Sequence, residues 1–114
     1  MRNTSTSRNQ INREGLSHLE QVPNIGPAIA ADLRRLGIRS PRELPGRDPY
    51  EMYDDLCRIT GQRHDPCLLD TFIAAVRFME GAPKRPWHAY TAERKQELAA
   101  RKKRTSRPKQ KIAT

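Results

Sequence analysis

The sequence predicts an all-α fold: five short helices in one compact body, followed by a basic C-terminal tail that is disordered when free. Three observations point there. Apolar residues recur three and four apart with no alternating, strand-like run; proline opens and glycine closes successive segments; and the excess positive charge is confined to the last quarter of the chain. With 114 residues, 35% of them hydrophobic, the chain can bury one modest core and not two.

Residues 1–14 are rich in Asn, Ser, Thr and Arg around the isolated Ile11, and read as a disordered arm with too little apolar surface to order itself. The body is expected over 15–83. Leu16, Leu19 and Val22 share one face of a first short helix, which Pro23 ends because its ring disfavours helical geometry at the residue before it. Pro27 suits the first position of a second helix with Ile29, Ala30, Leu33 and Leu36 inward, and Gly37 stops it. Ala28, Ala30 and Ala31 are small enough for the two helices to approach closely.

Ser40-Pro41 opens a brief third helix over Arg42, Glu43 and Leu44 that Pro45-Gly46 closes. Asp48-Pro49 opens a fourth, running to about Thr60, in which Glu51 is placed to reach back to the cap. Its apolar stripe is Met52, Tyr53, Leu56 and Ile59, and Gly61 terminates it. Asp65-Pro66 starts the fifth and longest helix, with Leu68, Leu69, Phe72, Ile73, Val76 and Phe78 at or near its inner face and Gly81 beyond its last turn.

Residues 84–114 read as a basic linker, a short helix and a tail. Pro83-Lys84-Arg85-Pro86 is stiff and extended, and Trp87 and Tyr90 pack back on the body. A helix from Thr91 is expected to fade at Arg101-Lys102-Lys103-Arg104, which repels itself, and Pro108 forbids continuation.

The net charge is +9, and its placement says more than its size. Residues 1–83 carry eleven Lys or Arg against eleven Asp or Glu, whereas 84–114 carry eleven against two. A body without net charge thus bears a cationic arm, which suits sequence-independent attraction to nucleic acid. No apolar run approaches the roughly 18 residues of a membrane helix, and residues 1–10 lack the apolar stretch of a signal peptide. A cytoplasmic protein with no membrane partner is expected, its Cys57 and Cys67 held as thiols.

Cys57, His64 and Cys67, with Asp65 as a fourth ligand, invite a metal hypothesis. Two thiols without a Cys-x-x-Cys pair specify no site, and both fall on helices where buried thiols are common, so no metal is expected. His64 reads instead as a buttress of its loop. No nucleophile and base, nucleotide loop or paired carboxylates stand out, so neither enzyme nor cofactor is predicted.

The chemistry lies in the connection Pro23-Asn24-Ile25-Gly26-Pro27. Two short helices joined this way present backbone N–H groups at the start of the second helix, where no intrahelical acceptor exists and the helix dipole adds partial positive charge. A phosphate oxygen can be held there without a charged side chain. The expected donors are the amides of Ile25, Gly26 and Ala28, flanked by Asn24, with Gly26 permitting close approach and unusual dihedrals that a side chain would obstruct.

The stretch from Val22 through Pro23-Asn24-Ile25-Gly26-Pro27-Ala28 to Leu36-Gly37-Ile38 resembles the helix-hairpin-helix signature, which implies DNA backbone binding without regard to sequence. Together with His64-Asp65-Pro66-Cys67 and Arg85-Pro86-Trp87 it also resembles the bacterial pathogenicity-locus family, some of whose members are labelled mitomycin resistance proteins. That resemblance spans about residues 15–90 and implies a compact five-helix tandem helix-hairpin-helix domain. Asn24 stands where many DNA-binding hairpins have glycine, and Ala28 where they often place a polar or cationic residue. Arg34 and Arg35 on the second helix, with Arg39 just beyond it, are the nearby candidates for that charge where they face the same side as the turn. In the second hairpin Asp65 sits where a phosphate would be held and repels it, leaving Arg63 as the contact expected there.

Three plainer readings stand beside these. The turn can serve simply to join packed helices, Trp87 to plug the core rather than stack on bases, and the tail to remain solvated. The reading adopted is a duplex-DNA backbone binder, with Asn24, Ile25, Gly26 and Ala28 at the turn, Arg34, Arg35 and Arg63 near it, and Lys102, Lys103 and Arg104 in the tail. Its rival is a non-enzymatic adaptor of a DNA-processing pathway, in which the body binds a protein partner and only the tail touches nucleic acid.

Overall fold

The computed structural model describes residues 13–106, and no strand occurs among them. Four α-helices form: α1 (Pro27–Arg35), α2 (Pro49–Thr60), α3 (Pro66–Met79) and α4 (Thr91–Ser106). Single 3-10 turns occupy Arg13–Gly15, Leu19–Gln21, Pro41–Glu43 and Trp87–Tyr90. The all-helical expectation holds, but the helix count does not. The expected first and third helices are 3-10 turns, and the helix expected from Thr91 forms but runs through the basic residues to Ser106.

Each difference has a local cause. Fixing a first helical turn costs several dihedrals for one hydrogen bond, and Pro23 leaves the first segment no length in which to recover that cost. The Gln21 side chain instead accepts from the amides of Ser17 and His18, both at 2.8 Å, closing a single turn that still buries Leu19 and Val22. At Pro41–Glu43 the Glu43 carboxylate gathers the amides of Arg39 and Ser40 and the Ser40 hydroxyl. Its pKa falls accordingly, mainly through the Ser40 side-chain bond. The reach-back expected of Glu51 is thus made by Glu43, while Asp48 caps α2 by accepting from Tyr50 and Glu51.

The helix starts follow the Pro signals throughout: α1, α2 and α3 each begin on the proline itself. Gly61, at φ 72°, closes α2 in the left-handed conformation that glycine adopts without steric cost. The centre of the fold is α3, which is apolar around most of its circumference and buries ten residues between α2, the Trp87–Tyr90 turn and α4. Phe72, Ile73, Ala75 and Val76 are fully enclosed, as are Leu19, Leu33, Ile38, Leu44 and Leu56. Tyr90 joins this cluster, as expected, whereas Trp87 is half-buried outside it and Ile59, expected inward, is 51% exposed.

One charge is buried in the middle of α3. Asp70 is wholly enclosed; it accepts from Arg94 Nε at 2.7 Å and from the Thr91 hydroxyl at 2.8 Å, so both ends of the first turn of α4 are tied to it. Farther along, Glu93 pairs with Arg77, and Arg101 bridges Glu97 and Asp48 while lying over the Tyr50 ring at 4.3 Å. The basic run was expected to break this helix by self-repulsion. It continues to Ser106 because Arg101 is neutralised by acids on its own helix and on the body. Of the arm expected to be disordered over 1–14, residues 1–12 lie outside the described residues, as does the tail beyond 106, while Arg13 and Glu14 belong to the first 3-10 turn.

Candidate nucleic-acid interface

The turn between Leu19–Gln21 and α1 is built by two residues with different backbone tasks. Asn24 takes φ 74°, the only non-glycine residue with positive φ among those described, and asparagine is the ordinary residue most tolerant of that region. Its side chain adds a second role, because Nδ2 donates to the carbonyl of Arg85 at 2.7 Å, sixty-one residues away. Gly26 is not left-handed: at φ −96° and ψ −175° it is extended, and it serves as the N-cap of α1. A Cβ built on it would meet nothing within 4 Å. What a side chain there would obstruct is approach from outside, not the fold.

The amides divide unequally. That of Ile25 donates to the Val22 carbonyl at 3.1 Å, and Ile25 itself is buried, so the expected ligand donor at this position is spent inside the turn. Gly26 contributes no side-chain cap, and the first amides of α1, those of Ala28 and Ile29, precede the first intrahelical bond, which Ala30 makes to Gly26. Pro27 and Ala28 are exposed. The second hairpin differs in this respect. Asp65 caps α3 by accepting from Cys67 at 2.8 Å, and that bond lowers its pKa, so the helix start is already occupied by the chain's own carboxylate.

The arginines of α1 are exposed but answered by acids: Arg34 approaches Glu20 at 3.4 Å and Arg35 bonds Asp32 at 2.8 Å. Such exposed pairs are worth little and exchange readily, typically about 0.2–1 kcal/mol. Arg63 is exposed in the loop between α2 and α3, with no ion pair among the described residues. Lys102 and Lys103 are exposed near the end of α4, and the Arg104 side chain lies outside the described residues.

The sequence reading missed the neighbours that the turn acquires. Lys84 and Arg85 lie beside it, lining one cleft with Pro23, Asn24 and Pro86. Both are exposed, with no ion-pair partner among the described residues. No local pattern could have placed them there, since the contact is long-range. The one available signal was Asn24, a residue suited both to a left-handed turn and to a side-chain tether.

The thiols do not converge on a metal: among the described residues no three His, Cys, Asp or Glu side chains group as ligands. Cys57 is half-buried against the core, but Cys67 is exposed, contrary to the expectation of two buried thiols. Its hydrogen bond to Asp65 pushes the thiol pKa up. His64 buttresses its loop, with Nε2 2.9 Å from the Thr60 hydroxyl and its carbonyl accepting from the Tyr53 hydroxyl.

The family model described as the pathogenicity locus (Cdd1) matches residues 12–96. The chain belongs to the pathogenicity-locus family. Over 83 residues it is 47% identical to the mitomycin resistance protein McrB of Streptomyces lavendulae, a stretch that covers 73% of this chain and 79% of that relative. No solved structure matches. The span matched by the pathogenicity-locus model contains the turn at Asn24, the Lys84-Arg85 segment and the Asp70–Arg94 pair, and it ends before Lys102.

Proposed function

We propose that this pathogenicity-locus protein binds duplex DNA through the phosphodiester backbone, with the turn from Asn24 to Ala28 as a helix-hairpin-helix contact and basic residues on α4 and beyond it adding electrostatic affinity. The observation that carries this reading is the uncapped start of α1, exposed at Pro27 and Ala28 and flanked by cations, on a molecule whose other hairpin caps the same position with Asp65. Partial positive charge and unanswered amides at a helix start suit a phosphate oxygen. The contacts are all to backbone, so base sequence is not read. The reading assigns no catalytic step to the chain; the name of the Streptomyces relative, a mitomycin resistance protein, supports damage resistance as its setting, and backbone binding without base readout suits DNA repair.

The adaptor reading draws on one observation, the engagement of Arg34 and Arg35 with Glu20 and Asp32. On that account the α1 surface meets a protein and only the basic end of the chain meets nucleic acid. Equilibrium binding of the full chain to two duplexes of unrelated sequence, over a salt series, tests the first reading. Affinities should agree within a few-fold at each salt concentration, with log K falling linearly in log salt. A hundredfold preference for one duplex contradicts a backbone-only mechanism.

A further inference from the structure

The segment between α3 and the Trp87–Tyr90 turn is fastened at both ends. At its start the Arg13 guanidinium donates to the carbonyls of Phe78 at 2.6 Å and Ala82 at 2.9 Å, while Ala82 N–H returns to Arg77 and Gly81 N–H to Phe78. At its far end Asn24 Nδ2 holds the Arg85 carbonyl, and Tyr90 is buried in the core. Pro83 and Pro86 restrict φ in between. The result is a short strap that carries Lys84 and Arg85, both exposed, alongside the turn that begins α1.

We infer that the Lys84-Arg85 strap is the cationic half of the phosphate-binding surface, held in register with the hairpin turn by the Asn24 side chain. The inference rests on the backbone-binding reading and deepens it by naming the residues that supply charge at the turn. From Pro23 to Ala31 the turn and the first turn of α1 contain no cationic side chain, and the arginines that follow face Glu20 and Asp32. Lys84 and Arg85 are the cations at the cleft without such partners among the described residues. Tethering matters because a cation held beside its target gives up less conformational freedom on binding than one on a loose chain. Asn24 thereby acts as a positioning residue through its side chain, which is spent on the Arg85 carbonyl, so that the effect of that side chain on binding passes through the strap.

A double-mutant cycle in the full chain tests this, with a duplex of about 20 base pairs as probe. Lys84→Gln with Arg85→Gln forms one arm and Asn24→Gly the other, glycine keeping the positive φ while removing the tether. Lys102→Gln with Lys103→Gln is the charge-matched control, and circular dichroism establishes that each variant is folded. The strap substitutions should lower the salt slope by about 1.8, from about 0.9 for each of two phosphates. Asn24→Gly should weaken binding with no change in net charge, and the strap substitutions should cost roughly threefold less or lower still in the Asn24→Gly background. The control substitutions should show no such coupling to Asn24. Additive arms in a chain that still binds DNA overturn the strap assignment and leave backbone binding by the turn standing. A parent chain that binds no duplex at low salt overturns both.

Discussion

Removing the Arg94 guanidinium should be the most damaging single change on the surface of this molecule. Asp70 is wholly enclosed in α3, and Arg94, whose side chain is only 14% exposed, supplies the 2.7 Å bond that answers its charge. In Arg94→Ala the carboxylate keeps one neutral donor, the Thr91 hydroxyl. Breaking one side of a buried pair costs about 3–5 kcal/mol, and the surviving hydroxyl bond places the expected loss near the lower figure, about 3 kcal/mol. For a domain of this size each kcal/mol moves the midpoint by roughly 4–8 °C, so thermal unfolding should fall by roughly 12–24 °C. Urea unfolding followed by circular dichroism at 222 nm measures the free energy, and calorimetry the midpoint. Asp70→Leu combined with Arg94→Met, which removes both charges and fills the space, should recover most of the loss because neither ion is left without its partner. A loss below 1 kcal/mol in Arg94→Ala would refute the burial of Asp70 beneath α4, and with it the docking of that helix on the body.

Other expectations concern titration and the thiols. Burial, with Glu93 and Glu97 adding to it, pushes the Tyr50 hydroxyl up to about 12, and that hydroxyl has no hydrogen-bond partner among the described residues. A folded pKa above the unfolded value of about 10 means stability that is complete below pH 10 and lost as pH rises toward 12, so urea melts should show a larger loss in the parent than in Tyr50→Phe, where the buried Tyr53 hydroxyl, also raised, still titrates. At neutral pH Tyr50→Phe should be neutral or slightly stabilising, since it removes an unpartnered buried hydroxyl and keeps the ring under Arg101. Cys67 should react with a disulfide reagent before Cys57, and Asp65→Asn should accelerate it by removing the carboxylate that raises its pKa; an unchanged rate contradicts the Asp65 contact. The purified protein should carry no stoichiometric zinc by metal analysis.

What could be read along the chain was what local chemistry decides. Gly26-Pro27, Asp48-Pro49 and Asp65-Pro66 mark the starts of α1, α2 and α3 because proline suits a first helical position and lacks the N–H that would go unanswered there. The inward residues of α1 and α3 followed from the same spacing. What could not be read depends on residues far apart in the sequence. Self-repulsion in Arg101-Lys102-Lys103-Arg104 is a fair local expectation; Glu97, four residues before Arg101, offers one local answer to it, and the other, Asp48, lies fifty-three residues away. Asp70 is answered by Thr91 and Arg94, twenty-one and twenty-four residues on, and nothing local to its helix marks it as the anchor of α4. The turn at Asn24 was legible as a turn, but its partner Arg85 was not, so the strap cations merged with the general charge of the tail. The conformational role assigned to glycine at this turn belongs to Asn24, which holds the positive φ, while Gly26 is extended and keeps the approach to α1 clear.

That difference decides the most direct test of DNA binding by the turn. Cutting the chain after Pro83 would remove Tyr90 from the core and Arg94 from Asp70, so the truncated body would report on folding rather than on the ligand. Gly26→Val in the full chain avoids this, because the new side chain meets open space and no left-handed strain. The measurement is the affinity of folded Gly26→Val for a duplex, beside the parent, at one moderate salt concentration. Each hydrogen bond to a charged group is worth about 1.5–3 kcal/mol, so blocking even one phosphate contact should weaken binding tenfold or more with the salt slope little changed. Folded Gly26→Val that binds DNA as tightly as the parent would show that the turn does not hold phosphate, and would transfer the body to the role of a protein adaptor.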